Sequence, residues 1–241
     1  MARKSDASLI DRRGLLALGA GSLAATMAGA HARAEEHGPA PGEAAKSPQQ
    51  ALDGLIEGNN RFISQPQLCE SDLAKQRANV ASGQAPWATI LSCADSRVPP
   101  ELIFGGRGLG ELFVARNAGN LADTATIGTL EYGAAVLGSP LIVVLGHTLC
   151  GAVKAACEVV TKNATFPGSI GPMIDPIIPS ALAVREAAGD FAANATRESA
   201  RRTALRLASA SSILGDLVAA GKLQILAAVY DLDTGKVEYL K

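Results

Sequence analysis

Two short clusters of metal-binding residue types carry the chemistry of this chain: Cys93-Ala-Asp95-Ser-Arg97 and His147-Thr-Leu-Cys150. Thiolate sulfur and imidazole nitrogen suit Zn²⁺, and two Cys with one His leave the fourth tetrahedral position open for water or substrate. Structural zinc usually takes four protein ligands, so a set of three points to a catalytic ion, one per chain. The competing reading of Cys93 and Cys150 is a buried thiol pair or a disulfide, common in exported proteins. Against it, His147 stands three residues before Cys150 and is the one histidine of the globular part, His37 lying in a polar linker. Asp95 and Arg97 could be a surface ion pair worth little. Beside a zinc ion, Arg97 can hold Asp95 ionised and oriented, and Asp95 can take a proton from metal-activated water.

The elements that must position these residues follow from apolar patterning. Each cluster ends a run of strand formers, Trp87–Ser92 and Leu141–Gly146. Strands are predicted at 87–93, 111–116, 140–146 and 223–230. Helices are predicted at 48–63, 71–83, 99–104, 124–137, 151–162, 175–188 and 196–220. Ser47-Pro48-Gln49-Gln50 reads as a capping box opening the first helix. Continuously apolar strands separated by helices imply a mainly parallel sheet flanked by helices, an α/β fold. Asp231–Gly235 reads as a turn, with 236–240 returning as a short antiparallel edge. Sites in such sheets form beyond the carboxyl ends of strands, where Cys93 and His147 both sit. Gly146 and Gly151 beside the second cluster permit close backbone approach. Cys157 reads as a small buried residue and Cys69 as a loop thiol; a bridge between them stays open.

The N-terminus is set aside as a targeting segment. Arg12-Arg13 precede a moderately apolar Ala/Gly-rich run to Ala30, and Ala32-Arg33-Ala34 has the small-x-small pattern of a cleavage site. The run is shorter than the ~20 residues that span a bilayer, so the expectation is a twin-arginine leader cleaved after Ala34, a periplasmic protein and no stable membrane anchor. Residues 35–46 read as a flexible linker and 47–241 as one domain. The chain of 241 residues carries a formal net charge of −1 and has no basic run, which speaks against a nucleic-acid partner.

Five segments, in order across residues 47–241, resemble the β-class carbonic anhydrases. They are Gly58-Asn-Asn-Arg-Phe62, Cys93-Ala-Asp-Ser-Arg-Val98, Phe113-Val-Ala-Arg-Asn117, Gly146-His-Thr-Leu-Cys-Gly151 and Ala227-Ala-Val-Tyr-Asp231. The resemblance implies zinc-dependent reversible hydration of CO₂ to bicarbonate, by hydroxide generated on the metal. It also implies a homodimer or dimer-based higher oligomer, with the N-terminal helices packing on the partner. In that family pattern Cys93, His147 and Cys150 hold the zinc, and Asp95 with Arg97 forms the catalytic dyad. Gln84, Phe113 and Tyr132 resemble the plant-type substrate pocket. There the Gln donates to substrate at the partner subunit's zinc, the aromatics wall the cavity, and water rather than Asp95 takes the fourth zinc position. Two other functions stay open: the same scaffold hydrolysing carbon disulfide or carbonyl sulfide, and an exported zinc protein without turnover. The segment Asn163–Pro179 departs from common family members and is expected either over the site or at an oligomer contact.

Overall fold

Alternation along the inner strands decides the layers. In strand β3 (Leu141–His147), Leu141, Val143 and Leu145 join one core cluster while Ile142 and Val144 join another. All seven residues of β3 are buried, as expected of a strand covered on both faces. The computed structural model describes residues 46–65 and 73–241. The expected leader, all but the last residue of the linker, and Cys69 lie outside these.

The sheet has five strands in the order β2-β1-β3-β4-β5. Strands β1 (Ala88–Cys93), β2 (Leu112–Asn117), β3 and β4 (Gln224–Tyr230) run parallel, and β5 (Val237–Leu240) closes the edge antiparallel to β4. Ser92 pairs with Leu145, so β1 and β3 end nearly level at their carboxyl ends. That register brings the two ligand clusters together without a special loop.

Helix α1 (Pro48–Ser64) opens with the expected reciprocal cap: the Gln50 N–H donates to Ser47 Oγ at 3.2 Å and the Ser47 N–H to Gln50 Oε1 at 2.8 Å. It packs beside α3 (Pro100–Ile103) on the face of Leu55, Ile90, Val143 and Leu145. Helix α2 (Leu73–Asn79) precedes β1. The opposite face is covered by α8 (Phe191–Ala210) and α9 (Ser212–Ala219), through Ala200, Leu207 and Leu214. Helix α5 (Gly151–Lys162) matches its predicted range.

Three helix assignments change. The stretch predicted at 175–188 is a 3₁₀ turn (Asp175–Ile177) and α7 (Ile178–Ala183), and a short helix α6 (Ile170–Ile174) precedes it. Pro176 and Pro179 lack the amide that a continuous helix would need. The helix predicted at 196–220 begins five residues earlier, because the Asp190 carboxylate accepts the Ala193 N–H at 2.7 Å. It also divides at Ser211, whose hydroxyl accepts the Leu214 N–H and starts α9. Helix α4 (Thr124–Glu131) gives way to a π-helical turn at Tyr132–Val136.

Candidate active site

Cys93 is the last residue of β1, His147 the last of β3, and Cys150 the N-cap of α5. All three are buried, and their ligand atoms lie within 4.8 Å of one another. The two Sγ atoms stand 4.0 Å apart as free thiols. Two 2.3 Å zinc–sulfur bonds at a tetrahedral angle would place them about 3.8 Å apart. The disulfide alternative therefore fails here, and a metal fits.

The imidazole settles its own role. His147 Nδ1 lies 2.9 Å from the Thr148 carbonyl oxygen, which can only accept, so Nδ1 carries the proton. Nε2 then presents a lone pair, is fully buried and has no hydrogen-bond partner. A buried polar atom left bare is costly in a folded protein unless something else satisfies it. A metal cation held between Nε2 and the two sulfurs would do so.

The thiols are electrostatically unequal. Cys93 and Cys150 share a hydrogen bond between their sulfurs, and the Gly119 N–H donates to Cys93 Sγ at 3.4 Å; together these hold Cys93 well below the usual thiol range. Cys150 is pushed up, because it keeps the shared proton beside Cys93 and is buried. A divalent cation held there by Cys93 and Cys150 would reverse that balance by stabilising both thiolates.

Asp95 and Arg97 meet as the sequence predicts. Asp95 Oδ1 accepts from the Arg97 backbone N–H at 2.9 Å and from Nε at 3.0 Å, while Oδ2 accepts from Nη2 at 2.8 Å. This two-pronged grip holds the Asp95 carboxyl far below the ordinary carboxylate range. Oδ2 lies 3.9 Å from His147 Nε2, so the dyad borders the ligand cluster. Arg116, which the sequence reading left without a role, holds the loop between them: Nε donates to the Cys93 carbonyl at 3.0 Å and Nη2 to the Asp95 carbonyl at 2.6 Å. Its place in the segment Phe113-Val-Ala-Arg-Asn117 is the sequence signal that marks it, and the pairing opposite Ser92 is what brings it to the site.

Phe113 on β2 and Tyr132 come together, with ring centroids 6.2 Å apart and planes tilted by 38°. Gly133 makes room for this, since a Cβ there would stand 2.8 Å from Phe113 Cδ1. Tyr132 opens the π-helical turn and is 45% exposed. Gln84 lies exposed in the loop before β1 and makes no hydrogen bond to the other site residues among those described. The segment 163–179 packs behind the ligands: Ile174 and Ile177 share a core cluster with Cys93, Cys150 and Leu121. Cys157 is buried in that cluster as a free thiol.

A family model described as carbonic anhydrase matches residues 88–237. Carbonic anhydrase 2 of Mycobacterium tuberculosis is 38% identical over 190 residues, covering 79% of this chain and 91% of its own. The carbonic anhydrase of Mycolicibacterium smegmatis is 35% identical over 192 residues, covering 80% of this chain and 93% of its own. The β-carbonic anhydrase CcaA superposes with a TM-score of 0.61 at 25% identity, over 79% of this chain and 95% of that one. A Coccomyxa β-carbonic anhydrase in complex with acetazolamide gives 0.60 at 27% identity, over 78% and 86%.

The chain belongs to the β-carbonic anhydrase family. It is an enzyme of the lyase class, and its five-stranded, mostly parallel sheet is the family fold. Among the described residues, no helix of this carbonic anhydrase is long and apolar enough to cross a membrane.

Proposed function

We propose that this carbonic anhydrase interconverts CO₂ and bicarbonate with one Zn²⁺ per chain, held by Cys93 Sγ, His147 Nε2 and Cys150 Sγ. The observation that carries the reading is the bare, buried Nε2 converging on two free thiols. A zinc ion held there would make hydroxide available from water near neutral pH. Asp95 Oδ2 stands 3.9 Å from His147 Nε2, ready to accept a proton, and Arg97 keeps that carboxylate ionised and engaged through both oxygens. With Asp95 engaged by Arg97, water rather than the carboxylate takes the fourth ligand position. Two thiolates make the ligand set electron-rich, so activity is weighted toward alkaline pH.

The pocket we propose is of the plant type and lies between two copies of the chain. Phe113 and Tyr132 wall an apolar space for CO₂, and Gln84 donates a hydrogen bond to substrate across the dimer. His147 is the one histidine among the described residues, so Tyr132, water chains and external buffer are left to carry the proton to solvent. We also propose that residues 1–34 are a twin-arginine leader cleaved after Ala34, that 35–46 form a linker, and that the enzyme, residues 47–241, works in the periplasm.

Stopped-flow CO₂ hydration on the purified zinc form tests the reaction, and turnover at neutral pH should rise with imidazole concentration. A crystal structure near pH 7.5 tests the geometry. An Asp95 oxygen at about 2.0 Å from zinc would overturn the open arrangement.

A further inference from the structure

Between His147 and Cys150 the chain has two residues in which to leave β3, turn and enter α5, yet the ligand atoms on either side must converge. Leu149 makes this turn with φ +59°, in the left-handed region that leucine seldom occupies. Its side chain gains little from packing in return, being 71% exposed. Thr148 uses every polar group it has. Its N–H donates to the Tyr230 carbonyl at 2.9 Å, and its hydroxyl accepts the Leu232 N–H at 3.0 Å. Its carbonyl accepts the His147 Nδ1–H at 2.9 Å.

The first two bonds fasten the turn to the end of β4, and the third aims the imidazole. The Thr148 carbonyl lies in the peptide plane that leads into Leu149, so its direction is tied to the left-handed φ there. Backbone strain kept at a site, with neighbours arranged to maintain it, signals a conformation needed for function. A short strand-to-helix connection with the ordinary negative φ would send Cys150 along a different path.

We propose that Thr148 and Leu149 are positioning residues for the metal. The left-handed turn at Leu149, clamped by Thr148 to the end of β4, holds His147 Nε2 and Cys150 Sγ aimed at one point before the ion arrives. The inference rests on the zinc reading of the site.

Four variants of the full mature chain test it: Leu149→Asn, Leu149→Val, Thr148→Val and Thr148→Ser. The readouts are zinc affinity by chelator competition, the absorption spectrum of the cobalt-substituted protein, and the melting temperature of the metal-free form. Asn accepts the left-handed region and a β-branched residue resists it. Leu149→Asn should therefore bind zinc at least as tightly as the parent, and Leu149→Val about tenfold or more weakly, within the range for losing a support around a metal ligand. Thr148→Val should weaken binding about tenfold and alter the cobalt spectrum, while Thr148→Ser restores both.

Affinity that follows side-chain apolarity instead, with Val equal to Leu and Asn weaker, overturns the proposal. So does equal affinity in all four variants. If Leu149→Val fails to fold, the Thr148 pair decides: a Val variant that binds and absorbs like the Ser variant overturns it. A parent chain that binds no zinc removes the zinc reading itself, and the inference with it.

Discussion

Asn59 and His147 are buried to nearly the same degree, at 4% and 0% exposure, yet their polar atoms meet opposite fates. Asn59, on α1, spends its whole amide on the fold. Nδ2 donates to the carbonyls of Ile103 at 3.1 Å and Gly235 at 2.8 Å, and Oδ1 accepts the Val237 N–H at 2.9 Å. Those bonds tie the helix to the end of α3 and to the turn before β5. The approach is so close that a Cβ on Gly58 would collide with the Phe104 carbonyl. His147 spends one nitrogen on the Thr148 carbonyl and keeps the other bare. Both residues stand in segments that resemble the family pattern, so motif membership alone does not separate them. Hydrogen-bond satisfaction does: the saturated group holds the fold, and the unsaturated one is available for a ligand.

The largest break in that comparison is His147→Ala. Zinc content and CO₂ hydration should fall together, the rate by more than about 10³-fold, beyond the ~100-fold reached by losing groups around a ligand. Secondary structure should survive, because the one fold bond lost is that of Nδ1 to the Thr148 carbonyl, a cost of about 1–3 kcal/mol. Metal analysis with stopped-flow hydration checks it, and a fully metallated, active variant would contradict the ligand assignment. Asn59→Ala should do the reverse. It strands two carbonyls and one amide, and at about 1 kcal/mol or more for each it should cost about 3 kcal/mol of folding stability. That is a factor of roughly 150 in the folding equilibrium, while activity per bound zinc stays within about twofold. Denaturant melts and hydration assays on the same preparation separate the two effects.

The contrast also marks how far the sequence could be read. Strand ends were legible to within a residue, because β1, β3 and β4 are apolar runs ended by polar or ligand residues, and parallel pairing then put Cys93 beside β3 without further information. Asp95 and Arg97 were legible because they are two positions apart and their contact is local. Asn59 and Arg116 were not assigned roles, since their partners lie 44, 176 and 178 positions away in one case and 21 and 23 in the other. Only the tertiary fold brings those groups into reach. The helix breaks at Pro176 and Pro179 and the caps at Asp190 and Ser211 are written in the sequence, but a continuous apolar pattern outweighed them in the reading. Ile174 and Ile177, at the end of segment 163–179, share a core cluster with Cys93 and Cys150, a packing choice that no local signal announces.

A smaller effect sharpens the comparison at the dyad. Asp95→Asn keeps the shape and removes the charge, so zinc content should hold while turnover falls about 100-fold, the lower range for a positioned proton acceptor. Arg97→Ala should release the carboxyl toward its ordinary range near 4, because its depression comes chiefly from Arg97. A carbon-13 NMR titration of the metal-free variant should then show the Asp95 carboxyl titrating at higher pH than in the parent. An unchanged Asp95 titration would mean that Arg97 does not govern it.

The smallest expected effect concerns how the bare site takes up metal. The two buried sulfurs stand 4.0 Å apart and share a hydrogen bond, Cys93 held low and Cys150 pushed up, so above pH 7 the pair keeps one proton, which zinc must displace. A group that holds a proton in the free state and loses it in the bound state makes affinity rise with pH, by about tenfold per unit. Between about pH 7 and 9 the apparent zinc affinity should therefore climb with a slope near one, and it should lose this gain as the pH falls. Titration against a chelator whose own pH dependence is corrected measures the slope. A slope near two would mean that both thiols are protonated in the free site, so that the Gly119 and Cys150 hydrogen bonds do not prepare Cys93. A slope near zero would mean that both sulfurs are already ionised, and the unequal pair would be wrong. Either result would leave the ligands in place and change only how the site waits for its metal, a difference that Asn59, with nothing left to bind, cannot show.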